Sequence, residues 1–170
     1  MLTGLAPVWR ADARLLILGS FPGAASLAAQ QYYAHPRNAF WPLMAALLAL
    51  PDLAQRPYDE RLQALQAHRI ALWDAVAACE REGSLDSAIR AAQPSDLPSL
   101  VMRLPQLRGI ACNGAAAYRE TLALLPGAPW PIWRLPSTSP AHAGLGWEAK
   151  RAAWAQAFAV LRAPSAPSAA

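Results

Sequence analysis

The 170-residue chain belongs to the α/β class: a four-stranded parallel sheet with helices on both faces. Three observations predict this. Four short apolar runs each end in turn or polar residues, as strands do. Segments with helical spacing of apolar residues lie between them. Such alternation gives parallel strands joined by right-handed crossovers. The polar residues also gather where the strands end, and that rim is where open α/β sheets bind ligands. The length suits one domain, taken as residues 1–162.

The first strand is predicted over Arg14–Leu18. It runs into Gly19-Ser20-Phe21-Pro22-Gly23, a tight turn with glycines four apart. Asn38–Leu50 is apolar nearly all round, which predicts a buried helix. Tyr58–His68 places Leu62 and Leu65 on one side of a second helix. Strands follow at Arg69–Trp73, Gly109–Cys112 and Pro131–Leu135, with helices over Ser95–Leu104 and Ala115–Leu125. In the last helix Trp147, Arg151, Trp154, Phe158 and Leu161 share one stripe, with Glu148, Lys150 and Gln156 elsewhere. The segment 163–170 is rich in Pro, Ser and Ala and reads as a disordered tail. No internal repeat is present. The strands' carboxyl ends share one rim, where loops begin at Gly19, Asp74, Asn113 and Pro136.

Composition excludes several classes. Hydrophobic residues make up 55% of the chain, ample for a packed core. Mean hydropathy is only +0.14, and no unbroken apolar stretch reaches membrane-spanning length. Arg10 and Asp12 interrupt the start too early for a secretory signal. The expected location is therefore the cytoplasm. Cys79 and Cys112, the only cysteines, cannot supply a four-thiolate cluster; two buried thiols are expected. No two histidines have zincin spacing, and no metal is expected. The net charge of +4 is compatible with a polyanionic partner. It is nearly all arginine, which favours bidentate phosphate contacts; a genomic bias explains it equally well.

The candidate residues combine small backbone, aromatic faces and neutral polar groups. Gly19 and Gly23 let a ligand approach the backbone, and Ser20 offers its hydroxyl and N–H. Tyr32 and Tyr33 can stack on a base. Asn38 can read a base edge or position a water, or it can cap the helix that follows. Asp74 or Asp86 can serve as a general base or fix a loop, while Glu80 and Glu82 read as a solvated face. Pro136-Ser137-Thr138-Ser139-Pro140 is a hydroxyl-rich loop able to grip phosphates, and His142 can add a charge or a wedge. The turn at Gly19 is neither a P-loop nor a Rossmann fingerprint.

Gly19-Ser20-Phe21-Pro22-Gly23, Ser26-Leu27, Tyr32-Tyr33 and His35-Pro36-Arg37-Asn38-Ala39-Phe40-Trp41 together resemble the first motif of the hypoxanthine (deoxyinosine) DNA glycosylases, within the uracil-DNA glycosylase superfamily. Leu72-Trp73-Asp74 through Ile89 is similar to that family's middle region. Cys112-Asn113-Gly114 resembles its third strand end, and Leu135 through Ala141 its last motif. The resemblance implies a three-layer α/β/α sandwich and a monofunctional glycosylase without cofactor. Its partner would be DNA carrying a damaged base, double- or single-stranded, met in the cytoplasm of a bacterial-type cell as a monomer.

Residue by residue, Asn38 matches the family's catalytic asparagine. Tyr33 takes the place of the aromatic that stacks on the extruded base. Ser20 stands where mismatch-specific uracil glycosylases carry a catalytic asparagine, which argues against ordinary uracil excision. Gly19, Phe21, Asp74 and Asn113 would join in binding the base, and Pro136, Ser137, Thr138, Ser139 and His142 the DNA strand. His142 departs from the asparagine expected in many relatives. No lysine stands near the motifs in the sequence, so no Schiff base is expected. A uracil-, xanthine- or mismatch-specific enzyme, a non-catalytic binder of damaged DNA, and a protein acting on free nucleosides are the rival readings.

Overall fold

The four apolar runs become four parallel strands within one residue of their expected starts. The computed structural model describes residues 1–162; the expected tail, 163–170, lies outside the described residues. In chain order the elements are β1 (Leu2–Thr3), β2 (Leu15–Gly19), α1 (Ala24–Ala29), α2 (Phe40–Leu47), α3 (Tyr58–Ala67) and β3 (Ile70–Asp74). Then come β4 (Val76–Glu80), β5 (Arg90–Pro94), α4 (Leu97–Met102), β6 (Gly109–Asn113), α5 (Ala115–Leu124), β7 (Ile132–Leu135) and α6 (Trp147–Phe158).

The main sheet has the order β3-β2-β6-β7. Every residue of β2 and β6 is buried, because helices cover both faces and leave no solvated side to alternate with. The two-residue period sorts the side chains. Leu15 and Ile17 face one cluster with Phe40, Leu43, Leu65, Trp154 and Phe158 from α2, α3 and α6. Leu16 and Leu18 face the other, with Leu97, Leu100 and Ala117 from α4 and α5. The expected three layers are thus present. Each fully buried leucine stabilises the fold by roughly 1.5–3 kcal/mol relative to exposure. Cys79 and Cys112 are free and buried, as expected.

A second, antiparallel sheet, β1-β4-β5, has no counterpart in the sequence expectation. It pairs Leu2 with Cys79 and Glu80 with Arg90. Phe21, Val76 and Cys79 pack beneath it as a small third cluster. This sheet lies beside the Gly19–Gly23 turn, since Val76 N–H donates to the Ser20 carbonyl at 2.9 Å.

The stripe expected on α6 needs correction. Trp154 and Phe158 are buried, but Trp147 is 42% exposed and Lys150 is only 5% exposed. The helix turns the Lys150–Trp154 line inward, and the lysine nitrogen is accommodated by a backbone carbonyl described below. Among the described residues no helix is long and apolar enough to cross a membrane.

Candidate active site

The strand order reverses between β2 and β6: the chain winds from β2 to β3 on one flank, then returns to β6 and β7 on the other. That switch point opens a crevice at the strands' carboxyl ends. A cavity of about 140 Å³ lies there, several times the ~30 Å³ share of one water. Its lining includes Gly19, Ser20, Phe21, Tyr33, Asn38, Asp74, Asn113 and the segment Ser137–His142. All but one of the residues singled out from the sequence therefore meet at one place. The exception is Pro136, which is not in the lining; its carbonyl accepts the Trp154 indole N–H at 2.9 Å. Two larger grooves, near Leu47–Phe158–Arg162 (about 320 Å³) and Val8–Asp59–Gln66 (about 410 Å³), lack such a convergence of polar groups.

Local forces hold each part. Gly19 ends β2 beneath the Asp74 carboxyl: a Cβ there would collide with Asp74 Oδ1 and come within 3.1 Å of the Tyr33 hydroxyl. The missing side chain is what lets the two polar groups converge. Tyr33 adopts a left-handed backbone, φ +55°, uncommon for a bulky residue. Its ring lies stacked on Phe40, 4.0 Å between centroids. The loop carrying it is anchored by Trp41 Nε1 donating to the Tyr32 carbonyl at 3.0 Å and by the Tyr32 hydroxyl donating to the Ala6 carbonyl at 2.7 Å.

Asn38 is not the helix cap: the N-cap of α2 is Ala39, without a side-chain bond, and Asn38, one residue earlier, closes the turn into the helix by accepting the Phe40 N–H through Oδ1 at 2.9 Å. It also lines the cavity. With that oxygen engaged, its Nδ2 amide is what remains to offer a ligand, and that group only donates. Closing the turn into α2 therefore leaves Asn38 an amide to present to the cavity.

The last motif is docked onto the first. Ala39 N–H donates to the Thr138 carbonyl at 3.0 Å. Asn113 holds Thr138 twice, Nδ2 donating to Oγ1 and Oδ1 accepting the Thr138 N–H, both at 2.9 Å. Gly114 turns the chain out of β6 at φ +98°, where a Cβ would sit 3.3 Å from that of Ser137. Asn113 thus spends its oxygen and one amide hydrogen on the loop, with its side chain also in reach of the Tyr33 hydroxyl. Ser137 and Ser139 accept backbone N–H groups from Ser139 and Ala141, so their hydroxyl hydrogens remain to be donated.

The electrostatics centre on Asp74, which is 4% exposed. Burial first, then the negative charge of Asp86, pushes its carboxyl up to about 7. Its Oδ2 is buried without a hydrogen-bond partner among the described residues, and the buried Tyr33 hydroxyl has the Asn113 side chain in reach. Burial, and next the charge of Asp74, drive the Tyr33 phenol upward, so it stays protonated. Ser20 Oγ donates to Asp86 Oδ1 at 2.5 Å. Asp86, a candidate base or loop anchor, stands at the start of a short 3₁₀ turn, Asp86–Ala88, against Ser20. Their separation of 66 positions along the chain hides that pair from a linear reading.

The Phe21 ring is 6% exposed and packs under the second sheet with Arg81 5.2 Å from it, while the residue also lines the cavity. One correction concerns a side chain. Lys150, absent from the motifs in sequence, folds beneath the last one. Its Nζ donates to the His142 carbonyl at 3.4 Å, but it does not line the cavity.

A base-sized cavity at the rim of a three-layer α/β/α sheet, walled by an aromatic ring and neutral polar groups and flanked by a hydroxyl-rich loop, defines a nucleobase-binding protein of the α/β class. The comparisons carry this further. Residues 7–162 match the uracil DNA glycosylase superfamily, and the chain belongs to that family. It is 34% identical over 155 residues to a hypoxanthine DNA glycosylase of Methanosarcina barkeri, covering 91% of this chain and 96% of that protein. It is 38% identical over 139 residues to one of Methanosarcina acetivorans, covering 82% and 87%. The fold is similar to the solution NMR structure of a candidate uracil DNA glycosylase from Methanosarcina acetivorans, with a TM-score of 0.83, 34% identity, and 95% and 98% of the two chains covered.

Proposed function

We propose that this protein is a monofunctional DNA glycosylase that removes hypoxanthine from deoxyinosine in DNA, acting as a monomer in the cytoplasm. One observation carries the reading. The first motif, the β3 and β6 ends and the last motif close around a single cavity on the scale of one flat base. The named activity of the two Methanosarcina relatives supports the choice of base.

A base stacked in a duplex cannot enter that cavity. It must be extruded, at a few kcal/mol, least for a mismatched or damaged pair. Tyr33, braced from behind by Phe40, stacks on the extruded ring. Asn38 donates through Nδ2 to the attacking water or to the base. The Asn113 side chain and the backbone at Ser20 and Phe21 meet the base edge. The Gly19 and Ser20 carbonyls take no part, being engaged by the Ala75 and Val76 N–H groups. Ser137, Ser139 and His142 hold the strand.

The test is single-turnover base release from duplexes and single strands each carrying one hypoxanthine, uracil, xanthine or mismatched pyrimidine. Hypoxanthine is expected to leave fastest. Asn38→Ala is expected to slow the reaction by about 10²-fold, the scale on which a misplaced reactant is penalised. Lesion binding without any free base would make the protein a damage-recognition factor.

A further inference from the structure

Asp74 closes β3 at the floor of the cavity. Oδ1 stands over Gly19 beside the Tyr33 hydroxyl, and Oδ2 is buried without a partner among the described residues. None of the ion pairs among those residues includes Asp74. The groups that face it are Asp86, from the segment after β4, and Tyr33, from the segment between α1 and α2; Tyr32 and Tyr58 lie farther off. His35 and His142 line the same cavity. A carboxylate at this point meets another carboxylate and no paired cation. A carboxylic acid meets neither problem, and it has a proton to give.

We propose that Asp74 is the general acid of base release, donating its proton to N7 of the extruded purine as the C1′–N9 bond breaks. The proposal rests on the glycosylase reading above and specifies how its leaving group is activated. The bonding pair of C1′–N9 passes to the purine ring, and the Asp74 proton is added at N7, so hypoxanthine departs neutral. The sugar is left as an oxocarbenium ion facing the new Asp74 carboxylate, whose charge stabilises it. Water positioned by Asn38 adds its oxygen to C1′, and the proton it loses restores Asp74 through solvent. The sum is one water added across one glycosidic bond. Burial that holds the carboxyl protonated up to about pH 7 suits an acid working near neutrality.

Single-turnover rates of the wild-type protein and Asp74→Asn, from pH 5 to 9, on deoxyinosine and 7-deazadeoxyinosine duplexes test this. The wild-type rate on deoxyinosine is expected to be flat below about pH 7 and to fall tenfold per pH unit above it. Asp74→Asn is expected to be slower by about 10²–10⁴-fold and to lose that limb; His35 and His142 are unchanged in it, so the loss assigns the limb to Asp74. On the 7-deaza duplex, which has no N7, the wild-type protein is expected to be slower and to show no limb. A rate that climbs through pH 7, a limb shared by both duplexes, or an equal loss in Asp74→Asn on both would overturn the proposal. The wild-type profiles alone decide the matter if the variant does not fold. Failure to release hypoxanthine at any pH would instead overturn the glycosylase reading, and this proposal with it.

Discussion

Asp74 shows what a single buried carboxyl costs a fold that uses it. In the unfolded chain an aspartate titrates near 3.9, whereas here it is pushed up to about 7. Between those values the native state keeps a proton that the unfolded chain has lost. Stability must therefore fall as pH rises through that window. Three units correspond to about 4 kcal/mol. Asp74→Asn removes the titration while preserving the shape. It is expected to unfold at higher urea than the wild-type protein at pH 8, by an amount on the order of 2–4 kcal/mol, with the two converging near pH 4. Equal stabilities at both pH values would show that the carboxyl is solvated. A variant both more stable and less active is the trade-off expected where a site is strained for function. Tyr33 belongs to the same class of residue. Its left-handed backbone (φ +55°) costs about 1–3 kcal/mol, and in return its ring lies against Phe40 with the hydroxyl over Gly19.

The elements are tied into one site chiefly through Asn113, at the last position of β6. Its two hydrogen bonds to Thr138 fix the loop after β7, and the Thr138 carbonyl in turn receives the Ala39 N–H. Asn113→Ala leaves a buried N–H and hydroxyl unpaired, at about 1–3 kcal/mol each. Denaturant unfolding is expected to show a loss of about 2–4 kcal/mol, with slower base release because the loop is no longer held to the first motif. A loss below 0.5 kcal/mol would mean that the loop is fixed by other contacts. The framework of this site was legible in the sequence because strands buried on both faces leave short continuous apolar runs. Their polar carboxyl ends then name the rim: Gly19, Asp74, Asn113. The second sheet was hidden, since β5 is exposed at all five positions and shows neither an apolar run nor alternation. It forms only because β4 offers it an edge. Helical spacing correctly grouped Trp154 and Phe158 on α6 but could not say which flank of the stripe is covered. The answer depends on the His142 carbonyl, which receives Lys150 from a loop formed by another part of the chain. The Ser20–Asp86 bond was hidden for the same reason: it exists only after β4 and β5 have paired.

At the scale of the whole molecule, part of the positive charge behind the net +4 stands away from the cavity, while Arg81 lies beside it, donating to the Pro22 carbonyl at 2.7 Å. Arg14, Arg69 and Arg108 precede β2, β3 and β6; burial first, then the charges of Arg69 and Arg108, lowers the proton affinity of Arg14. They stand at the amino ends of strands five residues long, roughly 16 Å of rise from the cavity end. The opposite rim presents the neutral hydroxyls of Ser137 and Ser139 with few cations; Arg37, exposed on the Tyr32–Phe40 loop, is the arginine within the first motif. Each phosphate neutralised by a cation contributes about −0.9 to the slope of log affinity against log salt. If, as proposed, the rim grips phosphates mostly through hydroxyl and backbone groups, lesion DNA binds with a shallow slope. Fluorescence anisotropy of Asn38→Ala on a deoxyinosine duplex, over a salt series, is expected to give a slope of about −1 to −3. Arg37→Ala in that background is expected to make it shallower by about one unit, while Arg69→Ala leaves it unchanged. A slope near −6, or one flattened by Arg69→Ala, would mean that the duplex wraps to the amino end of the sheet, and the strand-holding role assigned to the Ser137–His142 loop would have to be shared with that basic cluster.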